Sequence, residues 1–451
     1  MVQTKNTLIM SIIMTPQNKK LSLIGSVSLG TGVMIGAGIF VLMGQVAELV
    51  GALFPIVFVV GAIITSLSAY SYVKFSNTYP SSGGVAKFLR KAYGPGTVTG
   101  VFALLMYVSM VMAQSLVART FGSYTLQLVA VQNVESYVPV LGVILITIAF
   151  IINISGNRVI ESSANVTAIV KVLGIALLAI AGLAVGGFPS FSNVGSEVAT
   201  DGAFVIGFIA ASALAILAYK GFTTITNHGG DITNPNRNVG YSIIISVAIC
   251  TVIYVALAFA VSSSLSVSEI VAAKNYALAE AAKPVFGQLG LWVTVIIAIV
   301  ATVSGVIASV FSSSRLLGML SMMKQVPALS SRFKNTPLVF TVTLAILLTI
   351  FFDLTRIAAI GAIFYLLMDI AVHWGLLRYL RGDVIFNPLI PMLAIALDVL
   401  ILVTFVVVKF KQDPLIPLVA LGGLILIIGA ERLFMRSHTD NFGKMSMDDG
   451  M

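Results

Sequence analysis

The sequence predicts an all-α integral membrane protein with twelve transmembrane helices, and three observations carry that prediction. Of 451 residues, 58% are hydrophobic and 10% charged, and the mean hydropathy of +1.04 lies far outside the range of water-soluble domains. The apolar residues gather into windows of roughly 17 to 25 residues, each able to cross a hydrocarbon core of about 30 Å as helix. The ten-residue alternation that marks a membrane β-barrel is not visible.

In order, the windows cover residues 24–49, 53–74, 97–120, 138–154, 164–187, 204–222, 240–262, 289–318, 338–352, 356–380, 387–409 and 415–434. The segment between the sixth and seventh, NHGGDITNPNRN from Asn227 to Asn238, is polar and carries an Asn-Pro turn signal. Residues 265–288 form the longest outer loop, helical in pattern from Glu269 to Lys283. After Arg436 the chain is polar and reads as an unstructured tail. The apolar piece Leu8–Met14 is short for a signal-peptide core and no small-residue cleavage site follows it, so no removed leader is read.

Charge placement gives the orientation. The net charge of +9 raises the question of nucleic acid, but the basic residues sit in short segments between windows and form no continuous patch. Of the 26 Lys and Arg, eighteen fall on the side that carries both termini, from Lys5 to Lys444, and five on the other: Lys274, Lys283, Arg356, Lys409 and Lys411. The positive-inside rule therefore places both termini in the cytoplasm of a multi-pass protein of the inner (plasma) membrane. Cys250, the single cysteine, lies in an apolar window, which leaves no disulfide or cysteine-based metal site. His228, His373 and His438 lack metal-ligand spacing, so no metal and no cofactor are expected.

The first window contains GTGVMIGAGIF, with Gly30, Gly32, Gly36 and Gly38 inside nine residues. Such glycines either let helices pack closely or allow local unwinding, and each costs about 1 kcal/mol against alanine in a helix. A second interruption, AILAYKGFTT from Ala215 to Thr224, falls in the sixth window, five crossings later. Paired discontinuous helices in corresponding halves point to a midplane site between inverted repeats.

These residues resemble the amino acid-polyamine-organocation superfamily, in particular its bacterial and archaeal amino acid permeases, over nearly the whole chain. The resemblance rests on Ile35-Gly-Ala-Gly-Ile-Phe40, Tyr79-Pro-Ser-Ser-Gly-Gly84 and Ala218-Tyr-Lys-Gly-Phe222 followed by Asp231-Ile-Thr-Asn-Pro-Asn-Arg-Asn238. It continues with Ala277-Leu-Ala-Glu-Ala-Ala282 and Ser314-Arg-Leu316 leading into Pro327. It implies a leucine-transporter-like fold of five plus five inverted repeats. The N-terminal segment is then 1–23, the first repeat 24–187, the second 188–380, two further helices occupy 381–434, and the tail is 435–451.

By the same resemblance, the first and sixth helices are broken midway, with Gly36, Ala37 and Gly38 unwound so that their amides bind a substrate carboxylate. A half-helix N-terminus offers donors and a positive dipole to an anion. The carbonyls of Ile35, Leu217, Ala218 and Lys220 would accept from the substrate ammonium. On the third helix Tyr107, Met110, Val111, Gln114 and Ser115 share one face, and Tyr107 and Gln114 are expected to approach the substrate. Phe222 resembles the aromatic that gates the pocket.

Three basic residues lie at membrane depth, Arg119, Lys171 and Lys220, and buried ionisable groups are functional candidates by default. The resemblance implies a role for Lys171, since the proton-coupled members that the sequence is similar to carry a lysine in this space, which an ion fills in sodium-coupled transporters. Its ammonium can bridge the carbonyl near Gly32 and a hydroxyl on the eighth helix, Ser304; burial penalises the charged form, so the proton can leave. Two functional roles fit Lys220: recognition of an acidic side chain, or pairing with an internal charge, for which Asp369 is the partner; a position in a water-filled vestibule is the third alternative. Asp398, Glu48 and Arg119 read as structural. The function expected is a secondary active transporter of amino acids or related small amines, coupled to protons and working by alternating access. An amino acid or polyamine exchanger is the nearest alternative, with a channel or a membrane-embedded enzyme further off. The lipid bilayer is its surroundings, nucleic acid is not a partner, and the sequence leaves the oligomeric state open.

Overall fold

A computed structural model describes residues 20–129, 134–155, 157–187, 202–327 and 335–448. Residues 1–19 of the expected N-terminal segment and 188–201, the expected start of a second repeat, lie outside the described residues. The helices are α1 (Leu23–Ala37), α2 (Ile39–Val50), α3 (Phe54–Thr78), α4 (Gly84–Tyr93), α5 (Thr97–Thr125), α6 (Val134–Ser155), α7 (Asn157–Gly186), α8 (Gly202–Tyr219) and α9 (Thr223–Asn227). Then follow α10 (Pro235–Ser264), α11 (Val267–Ala272), α12 (Ala277–Ala281), α13 (Lys283–Met322), α14 (Thr336–Phe351), α15 (Leu354–Tyr379), α16 (Leu389–Gln412) and α17 (Leu415–Asp448). Among the described residues the only β-pairing is a single parallel bridge between Leu21 and Ile232.

Among the described residues, ten helical stretches are long and apolar enough to cross a membrane, and two shorter apolar helices, Leu23–Gly36 and Thr336–Phe351, accompany them. Ile39–Thr78 counts as one stretch because only a 3-10 turn, Gly51–Leu53, separates α2 from α3. Hydrogen-bonding physics explains the all-helical build: in hydrocarbon each backbone N–H and C=O must find a partner inside the segment.

Burial divides the bundle into an inner and an outer set. The helices α2, α3, α5, α8, α10, α13 and α15 carry the buried core, including Phe40, Phe58, Tyr72, Tyr107, Tyr219 and Tyr254. The outer faces of α7, α16 and α17 are apolar and exposed, as at Leu177, Val403 and Leu426. Such faces match lipid tails and would be a liability only in water.

Two expectations need correction. The polar stretch after Arg436 continues α17 as helix to Asp448, since extending a nucleated helix adds one hydrogen bond for each residue fixed. The outer loop is not one helix from Glu269 to Lys283 but two short ones, α11 and α12, with Ala273–Tyr276 between them. A capping box starts α11: Ser266 and Glu269 satisfy each other's backbone amides, and that serine hydroxyl holds the Glu269 carboxyl below the usual carboxylate range.

Candidate functional site

The first and sixth crossings are both interrupted, and the interruptions face each other. Between α1 and α2 only Gly38 leaves the helix, at φ −95° and ψ −69°, and its amide still donates to the Met34 carbonyl at 2.9 Å. Gly36 and Ala37 stay in the coil, which corrects the expectation that all three residues unwind. Between α8 and α9 the chain tightens into a 3-10 turn, Lys220–Phe222.

Close packing explains why glycine occupies both breaks. A Cβ on Gly38 would stand 2.7 Å from the Ala218 carbonyl oxygen, and one on Gly221 would stand 2.6 Å from the Met34 nitrogen. Both obstacles are backbone, which cannot rotate aside as a side chain can. Gly221→Ala is accordingly expected to force the two crossings apart and to lower uptake at least about fivefold, since overpacking costs about 1–3 kcal/mol; uptake in proteoliposomes checks this, and unchanged activity would show that the breaks tolerate separation.

Beside the breaks lies a cavity of about 30 Å³, bordered by Val33, Met110, Leu217, Lys220, Thr223, Thr224, Ser309 and Tyr365, among others. That volume takes one or two waters. An amino acid requires the surrounding helices to part. Besides Lys220, the polar side chains at this wall carry hydroxyls: Thr223 Oγ1 donates to the Lys220 carbonyl at 2.8 Å, while Thr224 and Ser309 come from α9 and α13.

Of the third-crossing residues expected near a substrate, Met110 borders the cavity. Tyr107 instead pairs with Thr341 of α14 at 3.0 Å, and Gln114 donates to Ser313 of α13 at 2.8 Å. Ala218 is used in packing, against Gly38 and beneath the Tyr254 hydroxyl at 3.4 Å. Phe222 is buried edge-on against Tyr72, with ring centroids 5.2 Å apart. Ile35 is fully buried, and Gly36 abuts the Ala301 carbonyl and Gly305 of α13.

Lys171 reaches from α7 to two other helices. Its ammonium donates to the Gly32 carbonyl of α1 at 3.0 Å and to Ser304 Oγ of α13 at 2.8 Å, and the residue is 2% exposed. The Ser304 hydroxyl donates its own proton to the Val300 carbonyl at 2.8 Å, so its oxygen is left to accept from the lysine. Among the described residues Lys171 forms no ion pair, and two neutral oxygens hold its charge. A group held this way can change protonation without stranding an opposite charge.

Lys220 is the converse case. Its ammonium forms an ion pair with Asp369 of α15, both residues at most 1% exposed, and donates to Ser68 Oγ of α3 at 2.9 Å. Asp369 also accepts from the Tyr72 hydroxyl at 2.6 Å and from Ser68 at 3.0 Å. The Tyr72 and Phe222 rings flank the ammonium at 5.8 and 5.3 Å. Burying two charges is costly unless such partners complete the pair. The side chain is thereby held by α3 and α15, away from the role of a free cation.

Sequence reasoning did not find the groups next to this pair. His373, one turn after Asp369 on α15, approaches Asp398 of α16 at 3.4 Å and meets Ser71 at 2.8 Å. The four-residue spacing of Asp369 and His373 was visible, as was the polar stripe Ser68, Ser71 and Tyr72 in an apolar helix.

Both ends of the bundle are tied. On one, α11 and α12 lie over α2, and Glu48 forms an ion pair with Lys274. On the other, Asp231 pairs with Arg315 at 2.9 Å, and its carbonyl accepts from the Leu21 amide at 2.8 Å.

The profile of the family described as amino acid permease matches residues 21–425. The chain belongs to that family, within the amino acid-polyamine-organocation superfamily. An uncharacterized protein of Methanocaldococcus jannaschii is 31% identical over 373 residues, covering 81% of this chain and 85% of the relative. The inner membrane transport protein YbaT of Escherichia coli is 27% identical over 427 residues, 94% of this permease and 98% of the relative. The serine/threonine exchanger SteT of Bacillus subtilis is 26% identical over 440 residues, 92% and 97% of the two chains. Among solved structures, a manganese transporter mutant of Eremococcus coleocola superposes with a TM-score of 0.60 at 11% identity, covering 92% of the permease and 94% of that chain, which speaks for the fold alone.

Proposed function

We propose that this permease carries small neutral amino acids into the cell by alternating access, each with a proton held and released by Lys171, independently of sodium. The observation that carries the reading is the bridge from Lys171 to Gly32 and Ser304. It joins α1, part of a broken crossing, to α7 and α13 through one titratable group, so that losing the proton loosens three helices at once. A monovalent cation would make the same contacts with a carbonyl and a hydroxyl; an ammonium does so without a metal.

Neutral substrates are supported by the cavity wall. Lys220 is already paired with Asp369, and the remaining border consists of apolar side chains and hydroxyls. In this reading the substrate carboxylate meets backbone near Gly38 and its ammonium meets carbonyls near Leu217 and Ala218, once the helices part. That the relatives above are transporters by name supports a role in transport over catalysis. Exchange is the second reading, favoured by the name of the Bacillus relative.

A thermal-shift panel of amino acids and amines at pH 5.5 and 7.5 tests the substrate class. Small neutral amino acids are expected to raise the melting temperature, more strongly at the lower pH, because ligands that bind only the folded state stabilise it by mass action. Stabilisation by acidic or cationic amino acids alone would reject the proposal.

A further inference from the structure

A charge count around Lys220 leads beyond the proton carried by Lys171. Four ionisable side chains meet in one region at membrane depth: Lys220, Asp369, His373 and Asp398, none more than 1% exposed. They come from the turn before α9, from α15 and from α16, and the phenols of Tyr72 and Tyr365 face them as neutral neighbours. Lys220 balances Asp369. Among the described residues, Asp398 is then a second carboxylate with no cation to match it, and neither of its oxygens finds a hydrogen-bond donor as the groups stand.

An isolated carboxylate in such surroundings is prohibitively costly, so it takes up positive charge. The nearest base is oriented for that purpose. His373 Nδ1 is 2.8 Å from Ser71 Oγ, and its other nitrogen, Nε2, lies 3.4 Å from Asp398 Oδ2 with no hydrogen-bond partner among the described residues. A proton on Nε2 would be donated to Asp398 Oδ2 while Nδ1–H is donated to Ser71, so that both ring nitrogens are used.

We propose that His373 and Asp398 form a proton-binding site, holding one proton between Nε2 and Oδ2 and giving the cluster the second positive charge it lacks. A metal ion suits the place less well. The ligand atoms of Asp369, His373 and Asp398 do lie within 4.8 Å of one another, but the Lys220 ammonium already holds Asp369 and repels a second cation. Because Lys220 and Tyr365 border the substrate cavity, the site's protonation state is felt at the cavity wall. The site is independent of the coupling role proposed for Lys171.

The test is the melting temperature of the full-length detergent-solubilised protein between pH 6 and pH 9, wild type against Asp398→Asn. The folded state holds a proton that the unfolded chain, with ordinary Asp and His side chains, releases above roughly pH 6.5. Wild type is therefore expected to lose about 2–4 °C relative to Asp398→Asn as pH rises across that range. Lys171 contributes equally to both proteins and cancels. The double variant His373→Gln with Asp398→Asn, in which no charge in the cluster is unmatched, is expected to follow Asp398→Asn. Parallel profiles for wild type and Asp398→Asn would overturn the proposal. So would stabilisation of wild type, but not of Asp398→Asn, by Mn²⁺ or Zn²⁺ at pH 8 beyond what acidification gives, since the occupant would then be a metal. None of these readings requires transport, so failure of the Lys171 proposal leaves them interpretable.

Discussion

Lys171→Ala is expected to reduce pH-driven uptake to background while the protein stays folded. Removing the ammonium leaves the Ser304 hydroxyl bonded to Val300 and leaves Gly32 inside α1, so no buried polar partner is stranded. What disappears is the ammonium that bridges α1, α7 and α13 and can change its charge there. Lys171→Met, which keeps most of the volume, should behave alike and separates loss of charge from the cost of a void. Uptake against an imposed pH gradient, with melting temperature as the folding control, checks both. Preserved pH dependence in either variant would remove Lys171 from the coupling step.

The second large effect concerns the Lys220–Asp369 pair. Lys220→Met leaves a buried carboxylate and Asp369→Asn a buried ammonium, and each is expected to cost about 3–5 kcal/mol of stability. The double variant should recover most of that loss, because two neutral side chains remain in a packed, apolar setting. A double-mutant cycle on the detergent-solubilised protein measures the coupling. Additive losses would mean that the two groups do not depend on each other. The double variant should also keep its uptake of neutral amino acids; a preference for acidic substrates that vanishes with Lys220 would instead show that this lysine reads the cargo.

The helical architecture was legible because hydropathy acts on whole segments: a helix stands at each of the twelve predicted windows, although ten stretches meet the length and hydropathy needed to cross. The breaks were legible as positions and misjudged in extent. Helix propensity says that glycine makes unwinding cheap, but Gly36 sits against Ala301 and Gly305, contacts available without unwinding, and the interruption narrows to Gly38. Tyr107 and Gln114 share a helical face with Met110, and helical phase alone does not tell whether the neighbour is a cavity or another helix. The pairing of His373 with Asp398 was out of reach for a different reason. It joins α15 to α16, and only assembled helices show that one carboxylate is left without a cation. Lys220 stands out in the sequence as a basic residue at membrane depth, but its chemistry depends on Ser68 and Tyr72, which have no feature in the sequence beyond polarity in an apolar helix.

The most direct measurement is accumulation of a radiolabelled neutral amino acid in sodium-free proteoliposomes under an inward proton gradient. A proton-coupled carrier concentrates the substrate above its external level and loses that ability when a protonophore collapses the gradient. Uptake that ignores the gradient, and proceeds only when amino acid is preloaded inside, would contradict proton coupling and identify an exchanger.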